Sequence, residues 1–364
     1  MKMTFRWYGD SDPVTLENIR QIPGVTGIVS AIYDIPAGEA WPYEKIAELK
    51  EKIEKHGLTL SVIESIPVHE DIKLGLPTRN QYIENYKTTI RNLAKASVKM
   101  VCYNFMPVFD WTRSSLDYPL EDGSTALIYE DEKVKQMNPL NGGLKLPGWD
   151  TSYADGQLRS LFQQYQRVTE EDLWKNLSHF IQEIIPVAAE EEVRMAIHPD
   201  DPPWSIFGLP RIMTNKEHLE RFVNLYDSPF NGLCICSGSL GANPTNDIPE
   251  FIHYFGKKGR VNFVHLRNIK RIGEKSFQES SHRSEDGSLD MYEIVRALRD
   301  IDFAGPVRPD HGRMIWNETG KPGYGLYDRA LGATYLNGIW EALAKERNRF
   351  SYKRGTLTAN RNEG

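Results

Sequence analysis

Four short apolar runs in the second half of the chain each stop on a side chain able to ligate a metal ion. Val193 to Ile197 runs into His198, Leu233 to Ile235 into Cys236, Val261 to Val264 into His265, and Val307 to Pro309 into Asp310. Two imidazoles, a thiolate and a carboxylate suit a divalent transition ion such as Mn2+, Fe2+, Co2+ or Zn2+. A lone His or Cys at a strand end is more often a packed or hydrogen-bonded core residue. Four potential ligands at the same relative place in successive strands point instead to one shared ion, which would stabilise negative charge developing on a bound substrate. Cys234, two residues before Cys236 on the same strand face and one layer deeper, reads as core, together with Cys102.

Groups for acid–base chemistry lie beside this set. His311 follows Asp310 directly, too close to share its metal sphere readily but able to reach a substrate, so it either transfers a proton or steadies its loop. Tyr324, in the Gly-flanked stretch Lys321-Pro322-Gly323-Tyr324-Gly325, either donates a proton or packs a turn. Arg6, Arg267 and Arg313 are candidates for gripping a carboxylate through paired N–H groups, with surface ion pairs as the alternative. Asp200 and Asp201, followed by Pro202 and Pro203, form an acidic turn that either backs the metal or caps its strand. Tyr8, Asn104 and Asp201 complete the candidate substrate contacts.

The elements that must position these residues alternate strictly. Strands are expected at Met3 to Tyr8, Val25 to Ile32, Leu58 to Ile63, Val98 to Tyr103, Val193 to Ile197, Gly232 to Cys236, Arg260 to Leu266 and Pro306 to Arg308. Each is followed by helical spacing, as in Ile46, Leu49 and Ile53 before a capping Gly57, or by a start signal such as Thr169-Glu170-Glu171-Asp172. The strands are continuously apolar, as a parallel sheet covered on both faces requires. No Gly-rich phosphate loop follows the first strand, which argues against a nucleotide fold. The expectation is an α/β chain folded as a (β/α)8 barrel, whose strand ends converge on one face. Residues 1–350 form one catalytic domain, with an irregular insertion or lid at 108–168 after the fourth strand, and 351–364 form a polar tail.

The bulk composition narrows the partners. With 364 residues, 40% hydrophobic and a net charge of −6, there is ample core and no electrostatic reason to expect nucleic acid or an anionic membrane. Three cysteines make no disulfide framework, the N-terminus lacks the apolar core of a secretory signal, and no run approaches about 18 apolar residues. A cytoplasmic enzyme is expected.

Several strings carry a resemblance: Phe5-Arg6-Trp7-Tyr8-Gly9, His198-Pro199-Asp200-Asp201-Pro202-Pro203, Cys236-Ser237-Gly238-Ser239, His265-Leu266-Arg267-Asn268, Arg308-Pro309-Asp310-His311-Gly312 and Pro322-Gly323-Tyr324-Gly325. Over essentially the whole chain they resemble the mannonate dehydratases, sugar-acid dehydratases of the xylose-isomerase-like barrel superfamily. The resemblance implies dehydration of D-mannonate to 2-keto-3-deoxy-D-gluconate in hexuronate (glucuronate) breakdown. It also implies Mn2+ or Fe2+ held by His198, Cys236, His265 and Asp310, with His311 and Tyr324 as catalytic residues. A homodimer is expected. The competing enzyme class is a metal-dependent sugar isomerase or epimerase on the same barrel, which would rely on more carboxylates and often a lysine. A non-catalytic metal- or sugar-acid-binding module would have no use for His311 and Tyr324, and a related endonuclease would want a basic groove.

Overall fold

The computed structural model describes residues 1–139 and 155–359, with backbone alone at 155 and 347–359. Its strands are β1 (Lys2–Arg6), β2 (Val25–Ser30), β3 (Thr59–Glu64), β4 (Met100–Tyr103), β5 (Ser115–Pro119), β6 (Thr125–Tyr129), β7 (Arg194–Ile197), β8 (Asn231–Cys236), β9 (Val261–Leu266), β10 (Ile269–Gly273), β11 (Ser276–Glu279) and β12 (Pro306–Pro309). Strands apolar on both faces must be covered on both, and closing the sheet achieves this without exposed edges. β1, β2, β3, β4, β7, β8, β9 and β12 pair in that order as a closed barrel, β12 returning to β1 in parallel register. The expected (β/α)8 barrel is the observed one.

The helices are α1 (Leu16–Arg20), α2 (Tyr43–Lys55), α3 (Glu70–Leu74), α4 (Arg79–Lys95), α5 (Asp131–Gln136), α6 (Asp155–Tyr165), α7 (Glu170–Glu190), α8 (Lys216–Val223), α9 (Ser237–Gly241), α10 (Ile248–Lys257), α11 (Met291–Asp300) and α12 (Tyr327–Ala359). Their ends follow the local chemistry. The Thr169 hydroxyl accepts from the Asp172 amide at 3.1 Å, and the Asp172 carboxylate accepts from the Thr169 amide at 3.2 Å, closing a capping box on α7. Gly57, at φ 71°, takes the left-handed turn after α2.

Strand alternation divides the apolar residues into two cores. Ile63, Val101, Ile197, Ile235 and Val264 point outward into the layer shared with helix residues such as Leu177 and Ile184 of α7. Val29, Val62, Met100, Cys102, Ala196, Cys234 and Phe263 form a separate cluster filling the barrel. Two residues further along each strand, the same inward face carries Glu64, Asn104, His198, Cys236 and His265. The carboxyl-terminal mouth is therefore a polar layer resting directly on a dry one.

Three features differ from the sequence reading. The first strand stops at Arg6, leaving Trp7 and Tyr8 beyond it. The stretch expected as an irregular insertion contains β5, β6, α5 and α6, with its residues 140–154 outside the described part. β5 and β6 join β10 and β11 in a four-stranded sheet of order β10-β11-β6-β5, and nothing at 269–279 had been read as strand. The final helix continues to Ala359 through much of the expected tail, and 360–364 lie outside the described residues.

Phe277 holds the small sheet down: it is fully buried, stacked on Tyr129 with ring centroids 5.7 Å apart, and Arg113 lies over its ring at 4.9 Å. Phe277→Ala should cost roughly 3–5 kcal/mol in a urea titration. Because Glu279 stands two residues along the same strand, turnover should fall as well; unchanged turnover would separate sheet from site.

Candidate active site

The four proposed ligands meet at the barrel mouth. Donor atoms of His198, Cys236 and His265 all lie within 4.8 Å of one another. Asp310 Oδ2 is 3.7 Å from Cys236 Sγ and 3.8 Å from His265 Nδ1. Backbone register explains the gathering, since Cys236 pairs with His265 and His265 with Arg308, and Asp310 stands two residues beyond Arg308 on the same strand face. His198 Nδ1 sits 2.6 Å from the Pro199 carbonyl, an acceptor only, so Nδ1 carries the proton. In the neutral ring Nε2, which faces His265 Nδ1 at 3.1 Å, is then left with its lone pair directed into the cluster. His265 Nε2 is buried and lies 3.4 Å from Glu64 Oε2 without making a hydrogen bond.

Electrostatics favour a thiolate. Burial pushes the Cys236 thiol up, but Arg267 first, and then the neighbouring His198 and His265, outweigh it and bring the pKa to about 5. Asp310 is pulled well below the usual carboxylate range: burial opposes this, and Arg308, hydrogen-bonded at 2.5 Å, dominates the pull. An ionised thiolate and carboxylate beside two imidazoles, one with its tautomer already set, form a donor set that could hold a divalent transition ion.

His311 lies at the edge of this cluster with a partner on each ring nitrogen. Its Nε2 is 2.8 Å from the Tyr324 hydroxyl; its Nδ1 is 3.2 Å from Glu279 Oε1 and 2.6 Å from Arg267 Nη1. Trp111 covers the ring edge-on at 4.9 Å, and Tyr8 stands edge-on to Tyr324 at 5.0 Å. Burial, with Tyr8 and Asp310 nearby, raises the Tyr324 phenol well above its ordinary value, so it keeps its proton at neutral pH.

Residues 1–350 match the family model described as D-mannonate dehydratase (UxuA). The chain belongs to the mannonate dehydratase family. It is 65% identical over 344 residues to mannonate dehydratase 2 of Halalkalibacterium halodurans, covering 94% of this chain and all of that one. The crystal structure of mannonate dehydratase from Streptococcus suis serotype 2 superposes with a TM-score of 0.89 at 53% identity, covering 95% of this chain and 96% of the other. A D-psicose 3-epimerase from Clostridium cellulolyticum H10 superposes at 0.53 with 15% identity over 96% and 99% of the two chains, a likeness of fold alone. The family's reaction is that of a hydro-lyase, and this chain is such an enzyme.

Set in a mannonate dehydratase, the remaining candidates fall into two groups. Arg6 joins the mouth, donating to the Glu64 carbonyl and lying 3.8 Å from its carboxylate, with Tyr8 stacked against its guanidinium. Arg267 lies at the centre, donating to Asp201 at 2.7 Å, with Glu279 at 3.3 Å and Asp310 at 3.5 Å. Gly238 leaves room for it: a Cβ there would come within 2.0 Å of Arg267 Nε. Asp201 is buried and already engaged, receiving both guanidinium prongs of Arg113 at 2.8 and 3.1 Å. Asn104 is turned to Asp110 at 3.0 Å. Arg313 is held by Asp328 at 3.0 Å and Asp122 at 2.8 Å.

Glu64, Glu279 and Arg308 had not been assigned to the site; Arg113, at the start of the 108–168 stretch, reaches it through Asp201 and Glu279. Arg308 grips Glu64 through two N–H groups, at 3.1 and 2.9 Å, while also holding Asp310. Its inward position was legible, two residues before Asp310 on one strand face. Glu279 had no local signal, because it reaches the mouth through a sheet unrecognised in the sequence.

Removing the Asp201 charge should leave Arg113 and Arg267 short of a buried partner. Asp201→Ala is expected to destabilise the fold by about 3–5 kcal/mol. A denaturation midpoint unchanged from the parent protein would show that the two arginines find other compensation.

Proposed function

We propose that the protein removes water from D-mannonate to give 2-keto-3-deoxy-D-gluconate in hexuronate (glucuronate) breakdown, using Mn2+ or Fe2+ held by His198, Cys236, His265 and Asp310. The observation that carries the reading is the junction of this ligand cluster with the His311–Tyr324 pair, in a chain of the mannonate dehydratase family. When bound, such an ion would act as a Lewis acid, easing loss of the weakly acidic proton beside the substrate carboxylate.

The chain's own groups account for the proton movements. The C2 proton leaves to a base, the C3 hydroxyl departs as water after receiving a proton, and the resulting enol tautomerises to the 2-keto acid. Tyr324 keeps its proton and suits donation; His311 Nε2, on the other side of their shared hydrogen bond, suits acceptance. For Nε2 to accept, Nδ1 must carry a hydrogen, and Glu279 Oε1 is the acceptor within reach. Glu279 can hold that tautomer and the imidazolium that follows, in competition with Arg267, which lies nearer to Nδ1 and can only donate to it. The 2.6 Å contact with Arg267 fits the other tautomer, in which Nδ1 accepts and Nε2–H donates to the Tyr324 oxygen. Arg6 and Arg267 are the groups proposed to meet the substrate carboxylate, with Tyr8 beside them. Asn104, Asp201 and Arg313 serve by holding Asp110, the arginine pair and Asp328 in place.

The same reading takes residues 1–350 as one catalytic barrel domain with 108–168 as its lid, acting as a cytoplasmic homodimer; buried, unpaired Cys102, Cys234 and Cys236 fit a reducing compartment.

The deciding experiment strips the protein with chelator, returns Mn2+ or Fe2+, and assays D-mannonate for the keto acid. Product restored only by metal is expected; metal binding without keto acid would remove the substrate assignment. His311→Ala and Tyr324→Phe should each lower kcat by roughly 10²–10⁴-fold. Hydrogen exchange at C2 in deuterated water then tells the base, whose loss stops exchange, from the acid, whose loss spares it. Wild-type exchange and turnover in both variants would sink the roles.

A further inference from the structure

Directly beneath the ligand layer lie two cysteines that the dehydration does not use. Cys102 of β4 and Cys234 of β8 are fully buried in the inner barrel cluster. Their sulfurs and a ring nitrogen of His265 all lie within 4.8 Å of one another. His265 is thus common to two donor groups: the upper one with His198 and Cys236, and this deeper one. The upper His265 contacts with His198 and Asp310 are made by Nδ1, while buried Nε2 makes no hydrogen bond and has Glu64 Oε2 at 3.4 Å.

The spacing suits a bridging ion better than a disulfide. β4 and β8 are separated by β7, so their backbones stand on the order of 9–10 Å apart. A disulfide needs Cα atoms about 4.4–6.8 Å apart. Two metal–sulfur bonds of about 2.3 Å at a tetrahedral angle span sulfurs about 3.8 Å apart, inside the 4.8 Å within which these donors lie. Charge also favours an ion, since two thiols that each release a proton on binding neutralise a divalent cation in a dry layer. Ligand softness separates the two groups: the upper one includes the carboxylate of Asp310, the lower one has two sulfurs and no oxygen.

We propose that Cys102, Cys234 and His265 form a second site for a thiophilic d10 cation such as Cd2+ or Zn2+, whose occupation withdraws His265 from the upper ligand set and inhibits the enzyme. The inhibitory half rests on the metal reading given above; binding by the two sulfurs does not.

The test uses Cd2+ alone as probe. Titrated into metal-stripped Cys236→Ser protein, it should give a thiolate-to-cadmium absorbance saturating near one ion per chain, and none when Cys102→Ala and Cys234→Ala are added. Absence of the band in Cys236→Ser overturns the site. Should that variant fail to fold, cadmium NMR of the unaltered protein decides: two resonances, one lost in Cys102→Ala/Cys234→Ala, support the site, and a single resonance overturns it. For inhibition, Cd2+-treated enzyme should remain at least about tenfold below its starting activity under excess Mn2+, since losing a direct ligand costs no less than the roughly 10–100-fold of losing an outer supporting contact. The Cys102→Ala/Cys234→Ala enzyme should recover instead, and equal recovery of the two overturns the coupling through His265. Failure of the upper reading would look different: Mn2+ would not bind the double variant, while the cadmium band of Cys236→Ser would be unchanged.

Discussion

The barrel mouth depends on charge balance in a place that water hardly reaches. Moving an isolated charge into such a layer costs several kcal/mol or more unless it is paired and hydrogen-bonded. Arg113, Arg267 and Arg308 are all at most 2% exposed, and Asp201, Glu279 and Asp310 at most 3%, so each can persist only with the others. Arg267 is the hub, touching Asp201, Glu279, Asp310 and His311. The network fixes rotamers as well as charge: it sets the face Cys236 and Asp310 present to one another and the two partners available to His311.

The strands supply these residues by simple alternation. One inward face carries Val62 then Glu64, Cys102 then Asn104, Ala196 then His198, Cys234 then Cys236, Phe263 then His265. The dry layer below keeps the polar one rigid, since each functional side chain stands on packed apolar or sulfur-bearing neighbours, as His265 does edge-on to Phe263 at 4.8 Å. Positioning by strand ends is more exact than positioning by loops, and the four proposed ligands come from β7, β8, β9 and β12 or the residue just past them.

That alternation is also what made the candidate ligand set legible in the sequence. His198, Cys236, His265 and Asp310 sit at equivalent points of short apolar runs, and the barrel follows from eight such runs in parallel. Glu279 had no comparable mark. Arg113 lies in the stretch after β4, and Glu279 on β11; the two meet at 2.8 Å only because β11 pairs with β6 across nearly 150 positions of chain. The sheet escaped notice because β10 is mostly exposed and β11 (Ser276-Phe277-Gln278-Glu279) carries a single apolar residue, so neither has the apolar run that betrays a barrel strand. Glu64 was seen only as a strand ending, since a carboxylate at such a place is unremarkable until Arg308 is found holding it from the opposite end of the sequence.

The same charge accounting bears on substrate class. Four guanidiniums, of Arg6, Arg113, Arg267 and Arg308, face four carboxylates, of Glu64, Asp201, Glu279 and Asp310. The Cys236 thiolate, with its pKa near 5, leaves one negative charge over. On the metal reading, a divalent ion turns that excess to one positive charge, and the carboxylate of an aldonate then brings the mouth to neutrality. A ketose or aldose brings no charge and would leave the cation uncompensated in a layer of low dielectric. An acid sugar is therefore the better electrostatic complement of this mouth than the neutral sugars handled by isomerases and epimerases on the same barrel, and the preference comes from the balance of the whole network rather than from any one arginine.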